Sequence, residues 1–369
     1  MNAARPALGS IMLRFLIRRI VLMVPVLIGI LFVTFAMTRM IPGDACAVML
    51  GERYSPEKCT LFRQKYGLND NIGVQFGRYL MTIGQGDFGN SIRTARPVTT
   101  ILSERLPMTM ELTVGAMLFA ATVGILLGII SAVRHNSGVD VGTMVGANIG
   151  VSMPVFWLGL MLAYFFAVLL RGTPFWLPPS SRLTAGISMT PLDQVWHLQK
   201  APGFAQFLVD FLSNSVILHS LIVGKFDVTW DAIKHLILPS LAVGTIPLAI
   251  IARLTRSSLL DVLSQEYVRT ARAKGLRERI ILMRHAMRNA LIPIVTIVGL
   301  QVGSLLSGAV LTETVFALPG VGTQLVDSIF ARDYPVIQGF VVVVALIFAS
   351  VNIIVDLSYS FLDPRIRAH

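Results

Sequence analysis

Tyr267, Ala271 and Gly275 stand at successive i, i+4 positions in the stretch DVLSQEYVRTARAKGLRERIILMRHAMRNALIP, residues 261–293. On a helix they share one face. Arg269, Arg272, Lys274, Arg277 and Arg279 surround that face with positive charge. Such a set makes and breaks no covalent bond. Its chemistry is recognition: small residues topped by an aromatic ring can dock closely into a groove on another protein. Ser264 predicts an N-cap, Glu266 falls in the first turn where its charge suits the helix dipole, and Gly275 can close the helix in the left-handed conformation. The result is a helix of about ten residues, ~15 Å long, too polar to cross a bilayer. A second helix, Arg277 to Asn289, leads to Pro293. An ordinary basic loop, or a surface resting on anionic lipid headgroups, would also explain the arginines. Neither requires the capped helix or its small face.

Patterns for covalent chemistry are missing. The chain has no His-Glu-x-x-His, Cys-x-x-Cys or Gly-x-Ser-x-Gly, and its six histidines, His135 and His285 among them, lack ligand spacing. We therefore expect no catalytic residues, no metal site and no cofactor on this chain. It has no Gly-x-x-x-x-Gly-Lys-Ser/Thr either, so any ATP that powers its work is hydrolysed by another subunit. Cys46 and Cys59, with twelve residues between them, form a disulfide if their loop faces a non-reducing compartment. Two separate buried thiols are the alternative.

The elements that must position these residues are membrane helices. Of 369 residues 54% are hydrophobic and 14% charged, with mean hydropathy +0.71. Soluble domains carry about 25% charged residues, so the composition excludes a disordered chain and argues against a soluble enzyme. A helix needs roughly 20 apolar residues to cross the hydrocarbon core. Six stretches without Asp, Glu, Lys or Arg reach or approach that length: Ile20–Thr38, Leu112–Val133, Val141–Leu170, Leu236–Ala252, Ala290–Thr312 and Pro335–Val355. The fourth can continue toward Leu260 if Arg253 and Arg256 snorkel to water. A seventh run, Phe211–Gly224, is short and polar enough to read as an amphipathic or re-entrant helix. The first stretch exceeds the usual h-region of a signal peptide and is read as a retained span.

Six spans place both termini on one side. The arm before the first span, with 134–140, 253–289 and 356–369, holds 16 basic and 6 acidic residues. The positive-inside rule makes that side cytoplasmic. The loops 39–111, expected to be mostly helical, and 171–235 then face outward as a platform. The net charge of +11 is thus a topology signal and no evidence for nucleic acid. The chain divides into an arm and first span, 1–40, an extracytoplasmic region, 41–111, and a five-span core, 112–369, with outer loop 171–235 and cytoplasmic segment 261–290.

The spans hold almost no ionisable residue, which weighs against a proton-coupled secondary transporter or a self-contained channel. The missing catalytic constellation weighs against a membrane enzyme. Small residues recur at helical spacing in Gly142-Gly146-Gly150, Gly124-Gly128 and Gly299-Gly303-Ser307. Such faces let helices approach closely in lipid, and the regular 142–150 set is the first choice for a packing face. Pro25, Pro154, Pro239, Pro247 and Pro293 fall in or near spans and can kink them.

Tyr267-Val-Arg-Thr-Ala-Arg-Ala-Lys-Gly275, followed by Arg288-Asn-Ala-Leu-Ile-Pro293, resembles the cytoplasmic signature of ABC-importer permeases, most closely the dipeptide/oligopeptide B-type branch. The general superfamily loop reads Glu-Ala-Ala-x-x-x-Gly. Ala271 and Gly275 match it, while Arg269 and Thr270 replace its Glu and first Ala, as in the peptide branch. The resemblance extends along the chain through Met40-Ile-Pro-Gly-Asp44, Gly51-Glu52, Tyr66-Gly-Leu68, Gly86-Asp-Phe-Gly-Asn-Ser91, His235-Leu-Ile-Leu-Pro239, Thr312-Glu-Thr-Val-Phe316, Leu318-Pro-Gly-Val-Gly322, Asp333-Tyr-Pro335 and Asp363-Pro-Arg-Ile-Arg367.

It implies an all-α polytopic protein of the bacterial inner membrane with the six-helix type I importer fold. It further implies a second, C-type permease subunit, one or two P-loop ATPases carrying ATP and Mg, and an extracytoplasmic peptide-binding protein. Coupling to the ATPases then falls on Glu266, Tyr267, Arg269, Thr270, Ala271, Arg272 and Gly275. Related permeases extend the cargo alternatives to nickel, a glutathione-like peptide and haem. Substrate-binding residues are not assigned.

Overall fold

The computed structural model describes residues 8–40, 55–65, 69–199 and 203–362. Cys46 and the motif residues 41–44, 51–52, 66–68 and 363–367 lie outside the described residues. The elements are α1 (Leu8–Met40), α2 (Pro56–Lys65), α3 (Ile72–Gly84), α4 (Val98–Val133), α5 (Gly138–Ser152), α6 (Val155–Ala163, continued as a π turn Tyr164–Leu169), α7 (Leu192–Val195), α8 (Phe204–Asn214) and α9 (Val216–Val223). They continue with α10 (Phe226–Leu263), α11 (Glu266–Ala273), α12 (Glu278–Ile280, then a π turn Ile281–Ala286), α13 (Met287–Gly308), α14 (Val310–Val315), α15 (Val321–Phe330) and α16 (Tyr334–Leu362). Among the described residues there is no β-strand, only an isolated bridge between Asn90 and Pro97.

Five of the described helices are long and apolar enough to span: Ile17–Met37, Val98–Val133, Phe226–Leu263, Glu278–Leu306 and Tyr334–Val355. The third expected stretch, Val141–Leu170, is not one rod. It breaks into α5 and α6 with a bend of 100°. Met153, the residue before Pro154, is extended at φ −88° and ψ 136°. A residue preceding proline is pushed out of the helical region by the ring. Pro25, Pro239, Pro247 and Pro293 all stay inside continuous helices. The Phe211–Gly224 run, expected as one amphipathic or re-entrant helix, is divided between α8 and α9, bent by 87° at Ser215 as a broken span or re-entrant loop would be, and ended by Gly224 at φ +77°.

The mast of the bundle is α10, at 38 residues about 57 Å long, enough to extend beyond a ~30 Å hydrocarbon core. Its apolar window is 72% buried, against 17% for α1 and for α16. It lies parallel to α4. Leu112, Ala116 and Ala120 of α4 meet Leu238, Ala242, Ile251 and Ala252 of α10, nearly all fully buried. Lipid tails are as apolar as leucine, so this pairing rests on dispersion between closely approaching backbones. Glycines permit the approach. A Cβ on Gly124 would stand 2.8 Å from the Leu248 carbonyl oxygen, one on Gly128 2.7 Å from that of Ala252, and one on Gly244 2.9 Å from that of Ala116. Gly299 and Gly303 of α13 likewise face Val355 and Phe348 of α16.

The 142–150 set behaves otherwise. Gly142 and Gly146 meet nothing within 4 Å, and only Gly150 touches α10, at Thr245. Arg253 and Arg256, expected to snorkel, instead reach α5: Arg253 donates to Asn148 Oδ1 at 2.7 Å, and Arg256 binds Asp140.

The bundle has two chemically different ends. The basic end carries the turn between α4 and α5, the α11 segment and the close of α10. The platform end carries α3, α7 to α9, α14 and α15. There α3 packs on α1 through Phe76, whose ring centroid lies 5.4 Å from those of Phe32 and Phe35. Arg182 of the 171–235 region donates to Glu111 of α4 at 2.7 Å and to the Asn214 carbonyl at 2.6 Å, and Ile217 N donates to the same carboxylate at 2.9 Å.

Candidate functional site

The α11 segment hangs from the end of the mast. Ser264 does not cap α11. It closes α10 with helical dihedrals, its N–H bonded to the Leu260 carbonyl and its hydroxyl to the Asp261 carbonyl at 2.7 Å. Gln265, extended at ψ 149°, makes the corner, and its carbonyl accepts from Val268 N. At the other end Gly275 adopts φ +75°. Leu276 N donates to the Ala271 carbonyl and Gly275 N to that of Arg272, at 3.3 and 2.9 Å. This double closure is a Schellman motif, which favours glycine at the left-handed position. A Cβ on Gly275 would meet nothing of this chain within 4 Å, so within the chain it is the backbone conformation that favours glycine.

Ala271 and Gly275 do not form a free docking face. Val268 and Ala271 are buried and pack with Ile281 and Leu263. Ala271 is small because its own chain closes over it. The exposed residues of α11 are Glu266, Tyr267, Arg269, Thr270, Arg272 and Ala273. Arg269 pairs with Glu266 and Arg272 with Glu278, each at 2.8 Å. Both pairs lie in water, where such bonds contribute ~0–1 kcal/mol and exchange partners easily. The Tyr267 hydroxyl accepts from Asn289 Nδ2 at 2.7 Å, so the two halves of the 267–293 signature touch. The expected helix Arg277–Asn289 is not separate: α12, the π turn and α13 run on into the span.

At the platform end the other signature pieces meet at two buried carboxylates. Glu313, fully buried, accepts from Thr109 Oγ1 at 2.6 Å and from Thr323 N at 3.0 Å, while Thr109 accepts from Val321 N at 2.8 Å. Glu313 thus holds the N-terminus of α15, whose unpaired N–H groups favour a negative charge. Burial pushes its carboxyl above the usual range, against the lowering pull of Thr109, the Thr323 and Gly322 amides and Arg105. Asp333, also buried, accepts from Ser91 Oγ, from Ile92 N at 3.0 Å and from Arg93 N at 3.4 Å. It joins Gly86–Ser91 to Asp333–Pro335.

Asp140, Glu111, Glu313 and Asp333 escape a search for charge inside spans, because each stands just outside one of the uncharged stretches. Glu313 and Asp333 carry a signal in the quoted motifs Thr312–Phe316 and Asp333–Pro335; Glu111 and Asp140 carry none. Among the described residues no three His, Cys, Asp or Glu come together as metal ligands would. Cys59 is buried and disulfide-bonded; Cys46, its expected partner, lies outside the described residues.

Two family profiles match this chain. "Binding-protein-dependent transport system inner membrane component" matches residues 124–368 and the corresponding N-terminal profile residues 12–113. The chain is 44% identical to the dipeptide transport system permease protein DppB of Alkalihalophilus pseudofirmus, over 96% of this chain and 100% of that one. It is 43% identical to the di/tripeptide transport system permease protein DppB of Pseudomonas aeruginosa, over 96% and 99%. It is 37% identical to the oligopeptide transport system permease protein AppB of Bacillus subtilis, over 96% and 100%.

Proposed function

This chain belongs to the binding-protein-dependent transport permeases, and on that premise we propose that it is the B-type membrane subunit of an ATP-driven importer of dipeptides or oligopeptides. A binding protein delivers the peptide from outside to a pore formed with a second permease. P-loop ATPases on the inside bind ATP and Mg, close, and drive the pore between inward-facing and outward-facing states. The basic end faces the cytoplasm with both termini, the platform receives the binding protein, and Cys46 pairs with Cys59.

One observation carries the coupling role. The helix α11 is fastened to the mast by Val268 and Ala271 while Tyr267, Arg269 and Arg272 stand exposed. A rigid helix on the end of a buried span is a lever. Its exposed aromatic and guanidinium groups suit a groove that offers carboxylates. The bent α5–α6 pair and the small number of ionisable groups within the spans support a pathway shared with another subunit over a self-contained proton relay.

The test is a pull-down of the tagged chain from gently solubilised membranes, followed by reconstitution with the proteins that accompany it. Recovery of a second permease and P-loop ATPases, with ATP-dependent uptake of a labelled dipeptide that Tyr267→Ala diminishes, is the expected result. A chain that purifies alone and transports without ATP would overturn the reading.

A further inference from the structure

We infer that Asp140 is a positioning residue for coupling: with Arg256 it transmits the movement of α10 to the α5–α6 arm. The inference rests on the importer reading above and assigns a role to residues outside the α11 segment.

The argument begins with how differently α10 is attached to its neighbours. Along α4 it is held by continuous backbone contact at Gly124, Gly128 and Gly244. These two helices can move only as one body, because close-packed interiors do not deform continuously. Along α5 the attachment is narrower, with Ala147 and Met144 packed into the core shared with α10. Gly142 and Gly146 meet nothing within 4 Å, and the contacts between α5 and α10 include Gly150 on Thr245, Arg253 on Asn148 and Arg256 on Asp140. The arm bends by 100° after α5, and α6 packs in turn on the end of α14, where Gly159 lies against Val315 and Phe316.

Of these contacts the one at Asp140 is the strongest. Arg256 donates from Nε to Oδ1 at 2.7 Å and from Nη2 to Oδ2 at 2.8 Å. This two-point geometry fixes orientation as well as distance. The same carboxylate accepts from Ser131 Oγ of α4 and from Asn136 N of the turn at 3.0 Å. Four donors from three elements converge on one side chain that is 5% exposed. His135 stands beside it, its Nδ1 accepting from Arg256 Nη2 at 3.1 Å. Arg256 lies two turns before the end of α10, and two residues separate that end from the start of α11. A displacement of α11 therefore reaches Arg256 through one short stretch of helix, and reaches α5 through a bond whose loss would leave the buried Asp140 carboxylate without its counter-charge.

The test uses the importer complex reconstituted with its co-purifying ATPases and binding protein in phosphatidylethanolamine–phosphatidylglycerol vesicles, with radiolabelled dialanine as probe. The quantity read is dialanine delivered per ATP hydrolysed, alongside the melting temperature of the complex. Asp140→Asn should lower the ratio about tenfold, within the range for substitutions along a coupling path. Arg256→Lys, which keeps the charge and loses the second contact, should give a smaller loss. A merely structural bond would lower the melting temperature and leave the ratio of the surviving complex within twofold of native, and that result overturns the inference. If Asp140→Asn fails to assemble, Arg256→Lys decides on the same criterion. If Tyr267→Ala uncouples while both of these variants do not, this inference alone falls. If no ATPase accompanies the chain, the importer reading falls first.

Discussion

Gly124 and Gly128 on α4, and Gly142 and Gly146 on α5, have the same spacing and sit in comparably apolar sequence. Their surroundings are opposite. The first pair lies against the carbonyl oxygens of α10, at distances that leave no room for a methyl group; the second pair meets nothing. In water an apolar face is driven to find a partner. In lipid it is already solvated, and a glycine face becomes an interface only where another helix actually crosses it. Gly275 adds a third situation, with open space but a backbone that few side chains tolerate. One residue type thus serves close approach, nothing within this chain, or conformation, and substitution separates the three.

The largest effect is expected at the close approach. Gly128→Leu has the Thr255 Cβ and the Ala252 carbonyl oxygen in its way, neither the far end of a flexible side chain, and should cost about 3 kcal/mol. The purified protein would melt well below native or fail to accumulate. Gly142→Leu, measured the same way, should stay within ~0.5 kcal/mol. Equal losses at both sites would erase the contrast between α4 and α5.

Next comes Glu313→Ala, which orphans the Thr109 hydroxyl and the amides at the start of α15 and should destabilise by about 2 kcal/mol. Glu313→Gln retains an acceptor and should recover part of that, again read by thermal melting. Gly275→Val should cost ~1–2 kcal/mol by forcing a branched residue into the left-handed region. Because asparagine tolerates that region, Gly275→Asn should restore both the proteolytic resistance of the α11 segment and dialanine uptake. If the asparagine variant were as impaired as the valine one, close contact at Gly275 and not its backbone would be what matters. The smallest effect belongs to the exposed Arg269–Glu266 pair: Glu266→Gln should change melting by less than ~0.5 kcal/mol.

Much of the architecture is legible in the sequence because it depends on neighbours a few residues apart. Uncharged runs mark the spans, the left-handed closure at Gly275 follows from a glycine after a polar helix, and the basic excess marks one end. Local rules fail where the deciding partner is distant. Five prolines share the potential to kink a helix, yet the 100° break falls at Pro154, while Pro239 and Pro247 remain within α10. That helix is packed on most sides, and neighbouring contacts compensate for the backbone bonds that proline removes. The α11 segment shows both limits. Its helix and closing turn follow from adjacent residues, but Ala271 reads as part of a free small face until Ile281 is found covering it.

Residue order alone determined the helical class, the apolar stretches, the charge asymmetry and the signature at 267–293, since hydropathy and backbone preference act over short distances. Tertiary structure alone decided which glycines are interfaces, which proline breaks its helix, and which acids are buried. Asp140 meets Arg256 across 116 residues and Glu313 meets Thr109 across 204. No local preference specifies either pairing. They exist because the packing of helices brings those helix ends together, and a buried carboxylate must then find donors or remain an uncompensated charge.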